Sequence, residues 1–330
     1  MTVDDVLAKL DPKLRKKLSA GTDIKIEKIA TPSHGLNHAL RGGLALGRQV
    51  LVWGNKSSGK SSFCLQMIAG AQAAGKQAAW IDAESSFDPA WATRLGVDPA
   101  KLIYSNSKTV NDMVDVSQQL MSADVDIIVV DSISALLPAV YFEKDSTELK
   151  DLVDTKQIGA EARDMTNAVK MLNYANKNTL LVLISQQRNN LGGLYASHMP
   201  TGGMAVKFFS STIIKLWSSD SDNNAIKGQV HAGNKIIEAK VGRKVSWHID
   251  FNKTGPAFVG GEYDFYFDGD NIGVDTVADL LDTAIMLGKA EQGGAWIKLL
   301  GESINGRAKA IEFLKADPDR VKRLMELVYE

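Results

Sequence analysis

A doubly wound, mainly parallel α/β sheet is the fold this sequence predicts, and three observations carry that prediction. Between residues 49 and 186, apolar runs of strand length alternate with longer helical patterns, the order of parallel strands joined by crossover helices. Residues 54 to 61 read Gly-Asn-Lys-Ser-Ser-Gly-Lys-Ser, the spacing G-x-x-x-x-G-K-[ST], set between an apolar run and a helical one. Four apolar residues from Ile127 to Val130 lead straight into Asp131, as a buried strand does when it delivers an acid at its carboxyl end.

In chain order, residues 3–18 predict one short amphipathic helix, with Val6, Leu7, Leu10, Leu14 and Leu18 apolar and Lys13, Arg15, Lys16 and Lys17 charged. One helix cannot bury that stripe alone, so it is expected to pack on the body or on another subunit. Residues 23–29 predict a short strand, 32–35 a turn, and 44–47 an entry to the strand 49–53 and the helix 61–74. The other parallel strands are expected at 77–83, 102–105, 126–131 and 179–185. Two polar stretches, 141–156 and 188–204, interrupt the rhythm, and loops of that length inside a domain are usually functional or disordered. After Phe208, strands at 212–217, 235–240 and 245–251 are expected to extend the sheet in antiparallel fashion. A composition change at 269–273 precedes helical patterns at 274–287, 308–315 and 318–329, which predict a separate small α/β domain.

With 330 residues, 45% hydrophobic and 23% charged, the chain falls in the ordinary globular class and is long enough for a large core plus a smaller one. Its longest apolar runs, 127–130 and 180–184, are too short to span a bilayer, and residues 1–10 carry acids where a signal peptide needs a basic start. A cytoplasmic location with no membrane partner is therefore expected. Cys64 stands alone, which excludes an intramolecular disulfide and a cysteine metal cluster, and the histidines lack metal-ligand spacing. A net charge of −1 gives no global basic footprint, so nucleic-acid binding has to come from local clusters or from one small site repeated over many subunits.

The run from Gly54 through Asn55, Lys56, Ser57, Ser58, Gly59, Lys60 and Ser61 to Ser62 is a phosphate-binding loop by spacing and by context. Its glycines let backbone N–H groups curl around phosphates, Lys60 reaches the β- and γ-phosphates, and Ser61 with Asp131 holds Mg²⁺. Trp80-Ile81-Asp82-Ala83-Glu84 places two more acids after a strand. Hydrolysis needs a carboxylate to orient or deprotonate water; Glu84 is favoured, Asp82 is the weaker candidate, and either also fits a plain loop charge. In Ser185-Gln186-Gln187-Arg188 a strand ends in amides ahead of the long loop, where Gln186 either bonds the γ-phosphate and moves that loop or simply bonds backbone.

Taken together these residues resemble the RecA-type recombinases over nearly the whole chain. The match covers Gly54 to Ser62, Ile81-Asp82-Ala83-Glu84, Val129-Val130-Asp131-Ser132, and Thr201-Gly202-Gly203 through Ala205, Lys207 and Phe208. The tail, with Gly294-Ala295-Trp296, Gly301-Glu302, Phe313-Leu314-Lys315 and Pro318, is similar to that of the bacterial and phage branch. The resemblance implies a RecA-type ATPase core over 31–268, an N-terminal oligomerisation segment over 1–30, and a C-terminal α/β domain over 269–330. It also implies a helical filament on single-stranded DNA, with ATP and Mg²⁺ at each subunit interface, that searches duplex DNA for homology and exchanges strands. Single-strand-binding and loading proteins are candidate partners.

Residue by residue, the resemblance assigns Glu84 to water activation, Gln186 to sensing the γ-phosphate, and Asp88 and Trp91 to holding adenine, where the family commonly has tyrosine in place of Trp91. The DNA loops fall at about 139–163 and 188–207, with Arg163, Lys170, Arg188, Asn189, Gly202, Gly203, Met204 and Lys207 as contacts. The first loop is more acidic and longer than the family's, with Glu143, Asp145, Glu148 and Asp151, and Met204 replaces a polar residue. Lys240, Arg243 and Lys244 match cations supplied to a neighbour's ATP, and Lys298, Arg307 and Lys309 a basic patch for duplex DNA. Two other readings share the motifs: a ring helicase, which leaves the tail around Trp296 unexplained, and a mediator scaffold with weak ATPase activity, which leaves the intact set of Lys60, Ser61, Glu84, Asp131 and Gln186 unexplained.

Overall fold

The computed structural model describes every residue except 1, 24, 139–140, 143–159, 191–196, 220, 222–223, 233–234 and 270. The chain opens with two short helices, α1 (Val3–Leu7) and α2 (Pro12–Arg15), in place of the single helix expected over 3–18. The break has a local cause: the Asp11 carboxylate caps Lys13 N at 2.8 Å, and Pro12 at the first helical position starts a helix but cannot continue one. The strand expected over 23–29 shrinks to β1 (Lys28–Ile29), which pairs antiparallel with β2 (Leu44–Ala45). Between them the expected turn at 32–35 is the start of a helix, α3 (His34–Ala39), with the Ser33 hydroxyl accepting from Leu36 N at 3.2 Å.

From there the alternation predicted from sequence appears in full. β3 (Gln49–Gly54) leads to α4 (Lys60–Ala73), β4 (Ala78–Asp82) to α5 (Pro89–Arg94), β5 (Leu102–Ser105) to α6 (Val110–Ser122), and β6 (Ile127–Asp131) to α7 (Ala160–Ala175). β7 (Leu180–Asn190) runs five residues beyond the expected end at 185 and returns as β8 (Ser197–Pro200), followed by α8 (Gly203–Phe209). β9 (Thr212–Trp217), β10 (Ala225–Ala232), β11 (Lys235–Asn252), β12 (Val259–Tyr266) and β13 (Gly273–Val274) complete the sheet. The two strands expected at 235–240 and 245–251 are one continuous strand, β11, with a register break against β9 between Ile249 and Phe251.

The strand order is β13-β12-β11-β9-β3-β7-β6-β4-β5, with β10 on β11 and β8 on β7. Pairing is parallel from β9 to β5 and antiparallel beyond β9. Successive residues of β3 serve opposite faces: Val50 and Val52 enter a core with Phe63, Met67 and Ile68 of α4, whereas Leu51 and Trp53 enter a second core with Met113 of α6 and Leu172 of α7. A slip of one residue would turn each set towards the wrong helices, so the register is tightly specified.

The tail has its own apolar cluster. α9 (Thr276–Met286), the antiparallel strands β14 (Glu291–Gly293), β15 (Trp296–Leu299) and β16 (Glu302–Asn305), α10 (Arg307–Lys315) and α11 (Pro318–Tyr329) bury Leu281, Ile297, Leu299, Leu314 and Leu324 together. Two polar clasps join this unit to the rest of the chain, one to the sheet and one to α3. The Arg307 guanidinium bonds Asp282 at 2.6 and 2.9 Å and reaches Asp264 of β12 at 3.3 Å. The Asp279 carboxylate accepts from His34 N and, at 3.3 Å, from Gly35 N, and His34 Nδ1 meets the Tyr329 hydroxyl at 2.9 Å. Among the described residues no helix is long and apolar enough to cross a membrane.

Burial pushes the Asp279 carboxyl up to about 7 from 3.8, against the pull of the Gly35, His34 and Ser33 donors. An acid with a raised folded value contributes stability that is full below about pH 4 and is lost as pH rises through 7. Asp279→Asn keeps an acceptor and removes the charge. Between about pH 5 and about pH 8 the urea midpoint of the parent chain is therefore expected to fall relative to that of the variant, and parallel midpoints would contradict this.

Candidate active site

The phosphate loop follows from how β3 hands over to α4. Gly54 ends the strand where the β9 backbone passes so close that a Cβ would lie 1.7 Å from Leu216 O, so no larger residue fits. Gly59 then turns left-handed at φ 86°, and no side chain caps α4, so the N–H groups of its first turn point outward as an anion cradle. Asn55 is held by Ser218 O at 2.9 Å, Ser58 is buried, and Lys56 and Ser57 are exposed. Lys60 Nζ is buried against Asn55 O at 2.8 Å, Gly54 O at 3.3 Å and Ser58 Oγ at 3.5 Å. Burial lowers its pKa, with Asp131 and Glu84 pulling it back up.

Asp131 emerges at the end of β6 beside this lysine. Burial pushes its carboxyl up to about 6, opposed by a hydrogen bond from the Ser61 hydroxyl, with Glu84 and Asp82 adding like charge. A hydroxyl and one carboxylate are hard oxygen donors of the kind that fit Mg²⁺ sharing its shell with phosphates and water, and the described residues hold no cluster of three or more acids, histidines or cysteines suited to a metal.

The parallel register sets Asp82 opposite Asp131 and Gly54 opposite Gln186, so the loops after β4, β6, β3 and β7 open on one edge. There Glu84 Oε1 accepts from Ser132 Oγ and, at 3.0 Å, from Gln186 Nε2. Asp82 is buried and occupied: its carboxylate takes Ser86 N at 3.1 Å, Phe87 N at 3.0 Å and the Tyr104 hydroxyl at 3.1 Å. Of the two acids, Glu84 is the exposed one that faces Gln186.

Gln186 is also bonded through its backbone. Its N–H donates to Ser134 Oγ at 3.0 Å and its carbonyl accepts from Thr201 N at 3.1 Å, while Thr201 Oγ1 meets Ser185 Oγ at 2.8 Å and also Ser134 Oγ. Thr201 directly precedes Gly202 and Gly203, so the far end of the second loop is pinned to Gln186. Ser132 and Thr201 stand inside the segments that resemble the family and Ser134 two residues beyond Ser132, but sequence gives none of the three a role, because a single hydroxyl has no distinguishing spacing.

The second loop is more ordered at its ends than a polar stretch predicts. Arg188 pairs with Met199 and Asn189 with His198 across β7 and β8; 191–196 lie outside the described residues. Gly202 caps α8 at φ 97°, and a Cβ there would meet Ile133 at 2.8 Å. Met204 and Phe208 are exposed on α8 beside half-buried Lys207. Of the first loop, 139–140 and 143–159 lie outside the described residues, including Glu143, Asp145, Glu148 and Asp151. Arg163 and Lys170 are exposed on α7, with Arg163 3.9 Å from Asp164.

Trp91 lies half-buried against the phosphate-loop helix, its Nε1 donating to Ser62 Oγ at 3.2 Å and the Arg94 guanidinium 5.5 Å from its ring. Asp88 caps α5 through Ala90 N at 2.8 Å. On β11, Lys240 is exposed, Arg243 is half-buried, and Lys244 lies 3.6 Å from Asp264. In the tail Lys309 is exposed and Lys298 lies 3.5 Å from Glu291, whereas Arg307 is held by the two carboxylates described above.

The model of the RecA N-terminal domain family matches residues 7–269. Protein RecA of Colwellia psychrerythraea is 34% identical over 312 residues, covering 93% of this chain and 84% of the relative. That of Thermus aquaticus is 33% identical over 316 residues, 93% and 86% of the two chains, and that of Trichormus variabilis 33% over 319 residues, 95% and 83%. Neither the ring-helicase nor the mediator reading is favoured beside these matches. The chain belongs to the RecA family and is an ATP-dependent recombinase with the chemistry of a DNA-dependent ATPase.

Proposed function

We propose that copies of this chain assemble into a helical filament on single-stranded DNA, close an ATP·Mg²⁺ site between neighbours, and use that filament for homology search and strand exchange with duplex DNA. The observation that carries this reading is the bonded series Glu84–Gln186–Thr201, which joins the candidate water-activating acid to the end of the second DNA loop. The amides of the phosphate loop and Lys60 hold the β- and γ-phosphates; Asp88 and Trp91 border the base. Ser61 and Asp131 hold Mg²⁺, which supplies charge neutralisation on the phosphates. Glu84 orients the attacking water and accepts its proton. Gln186 bonds the γ-phosphate, and loss of that bond shifts Thr201 and the glycines beyond it.

Arg163, Lys170, Arg188, Asn189, Gly202, Gly203, Met204 and Lys207 form the surface for single-stranded DNA, mostly through phosphate contacts that ignore sequence. With a net charge of −1 for each chain, affinity grows through repetition along the strand. Lys240, Arg243 and Lys244 reach the neighbour's nucleotide, which ties turnover to assembly. Lys298 and Lys309 approach duplex DNA, with Arg307 holding the surface that carries them. Residues 1–30 act as the assembly segment, 31–268 as the ATPase core and 269–330 as the duplex-binding domain. Support for assembly comes from apolar residues with no cover, Val3, Val6, Leu14 and Leu18, and from β5, which ends the strand order with Ile103 and Tyr104 exposed. The compartment is the cytoplasm, and single-strand-binding and loading proteins are further partners.

Lys60→Ala is expected to abolish nucleotide binding. Glu84→Gln is expected to lower turnover about a hundredfold or more while leaving ATP affinity within about threefold. Binding and single-turnover measurements separate the two, and normal hydrolysis by Glu84→Gln would overturn its role. Deleting residues 1–30 is expected to abolish filaments in electron micrographs while circular dichroism stays that of a folded chain; unchanged filaments would refute the assembly segment.

A further inference from the structure

The geometry points to Lys108 as a positioning residue for Glu84, an assignment that rests on the reading of Glu84 as the water-activating acid. Lys108 lies between β5 and α6, and in sequence it is one lysine among many. Its ammonium donates to the carbonyls of Asp82 at 3.1 Å and Ala83 at 3.0 Å, and to the Ser85 hydroxyl. An ammonium has three donors, and these bonds use all of them on the residues that flank Glu84. Ser85 turns left-handed at φ 54°, a conformation that residues with a Cβ adopt only when their surroundings hold them there.

The other sides of the same loop are held by different groups. Ala83 N and Glu84 N donate to Asp131 O at 2.8 and 3.3 Å, and the Asp82 carboxylate accepts from Ser86 N and Phe87 N. Lys108 supplies the bonds on the carbonyl side. Its own backbone is fixed, because its carbonyl accepts from Leu137 N at 3.0 Å and Thr109 Oγ1 caps α6 through Asp112 N at 3.0 Å. Glu84 itself is exposed and bonded through one carboxylate oxygen, so where that oxygen sits depends on how firmly its peptide is held. Displacing a reacting group by about 1 Å can cost about a hundredfold in rate. Lys108 therefore acts on kcat through Glu84 without touching substrate.

Lys108→Met keeps the stem and removes the donors. With single-stranded DNA at saturation it is expected to lower kcat for ATP by about tenfold to a hundredfold, leave the affinity for a fluorescent ATP analogue within about threefold, and recover part of the rate as Lys108→Arg. Added to Glu84→Gln, Lys108→Met is expected to cost little more, because both act through one carboxylate. Unchanged kcat in Lys108→Met, a matched loss of nucleotide affinity, or a full additional loss in the double variant would overturn the assignment. Glu84→Gln alone separates the two layers: normal turnover there removes the reading of Glu84, whereas an inactive Glu84→Gln beside a fully active Lys108→Met removes only the role of Lys108. If Lys108→Met does not fold, Lys108→Gln, which keeps an uncharged amide donor on a shorter stem, is expected to lower kcat by a smaller factor at unchanged nucleotide affinity, and unchanged kcat there would overturn the assignment.

Discussion

Hydrogen bonds from Ser132 and Gln186 converge on one Glu84 oxygen, and that meeting point depends on the register of four parallel strands. The register in turn rests on alternate burial: even-numbered and odd-numbered residues of β3 fill different cores, so no strand can slide without exposing one set and misplacing the other. Because the cores lock the strands, their carboxyl ends place Gly54, Asp82, Asp131 and Gln186 at fixed positions along one edge. Asp82, Asp131 and Ser185 at that edge are all buried.

Electrostatics give that edge its purpose. Lys60 and Asp131 are both buried, and burial works against the charged form of each, lowering the lysine and raising the acid. Glu84 and Asp82 add negative charge beside Asp131. A polyanion bearing a divalent cation supplies what each of these groups lacks, negative charge for the lysine and positive charge for the acids. Coupling outwards runs through hydroxyl groups: Ser134, Ser185 and Thr201 connect the Gln186 backbone to the Gly202 turn without any charged intermediary.

Much of this was legible in sequence because it is local or periodic. The phosphate loop, the apolar run into Asp131 and the strand-helix alternation each follow from spacing, and all appear where spacing puts them. Residues 32–35 misled because a Ser-His-Gly stretch after proline reads as a turn, whereas Ser33 caps a helix whose start is also held by Asp279, far along the chain. Residues 3–18 misled because apolar periodicity ran through Asp11-Pro12, a stop and restart signal. Two strands are expected where β11 runs unbroken because Gly242 weakens a strand pattern, but here it sits where a Cβ would lie 2.6 Å from Phe265 O of β12. Seeing Asp82 engaged by Tyr104, Glu84 facing Gln186 and Arg307 acting as a clasp required partners 22 or more residues away, which no window on the sequence contains.

The most direct measurement is steady-state ATP turnover by the purified chain, with and without single-stranded DNA, over a salt range from about 50 to about 200 mM. A DNA-linked filament ATPase predicts stimulation of at least about tenfold that falls steeply as salt rises, since each copy holds the strand mainly by its phosphates. Turnover indifferent to DNA while nucleotide stays bound would contradict the link between the second loop and Glu84.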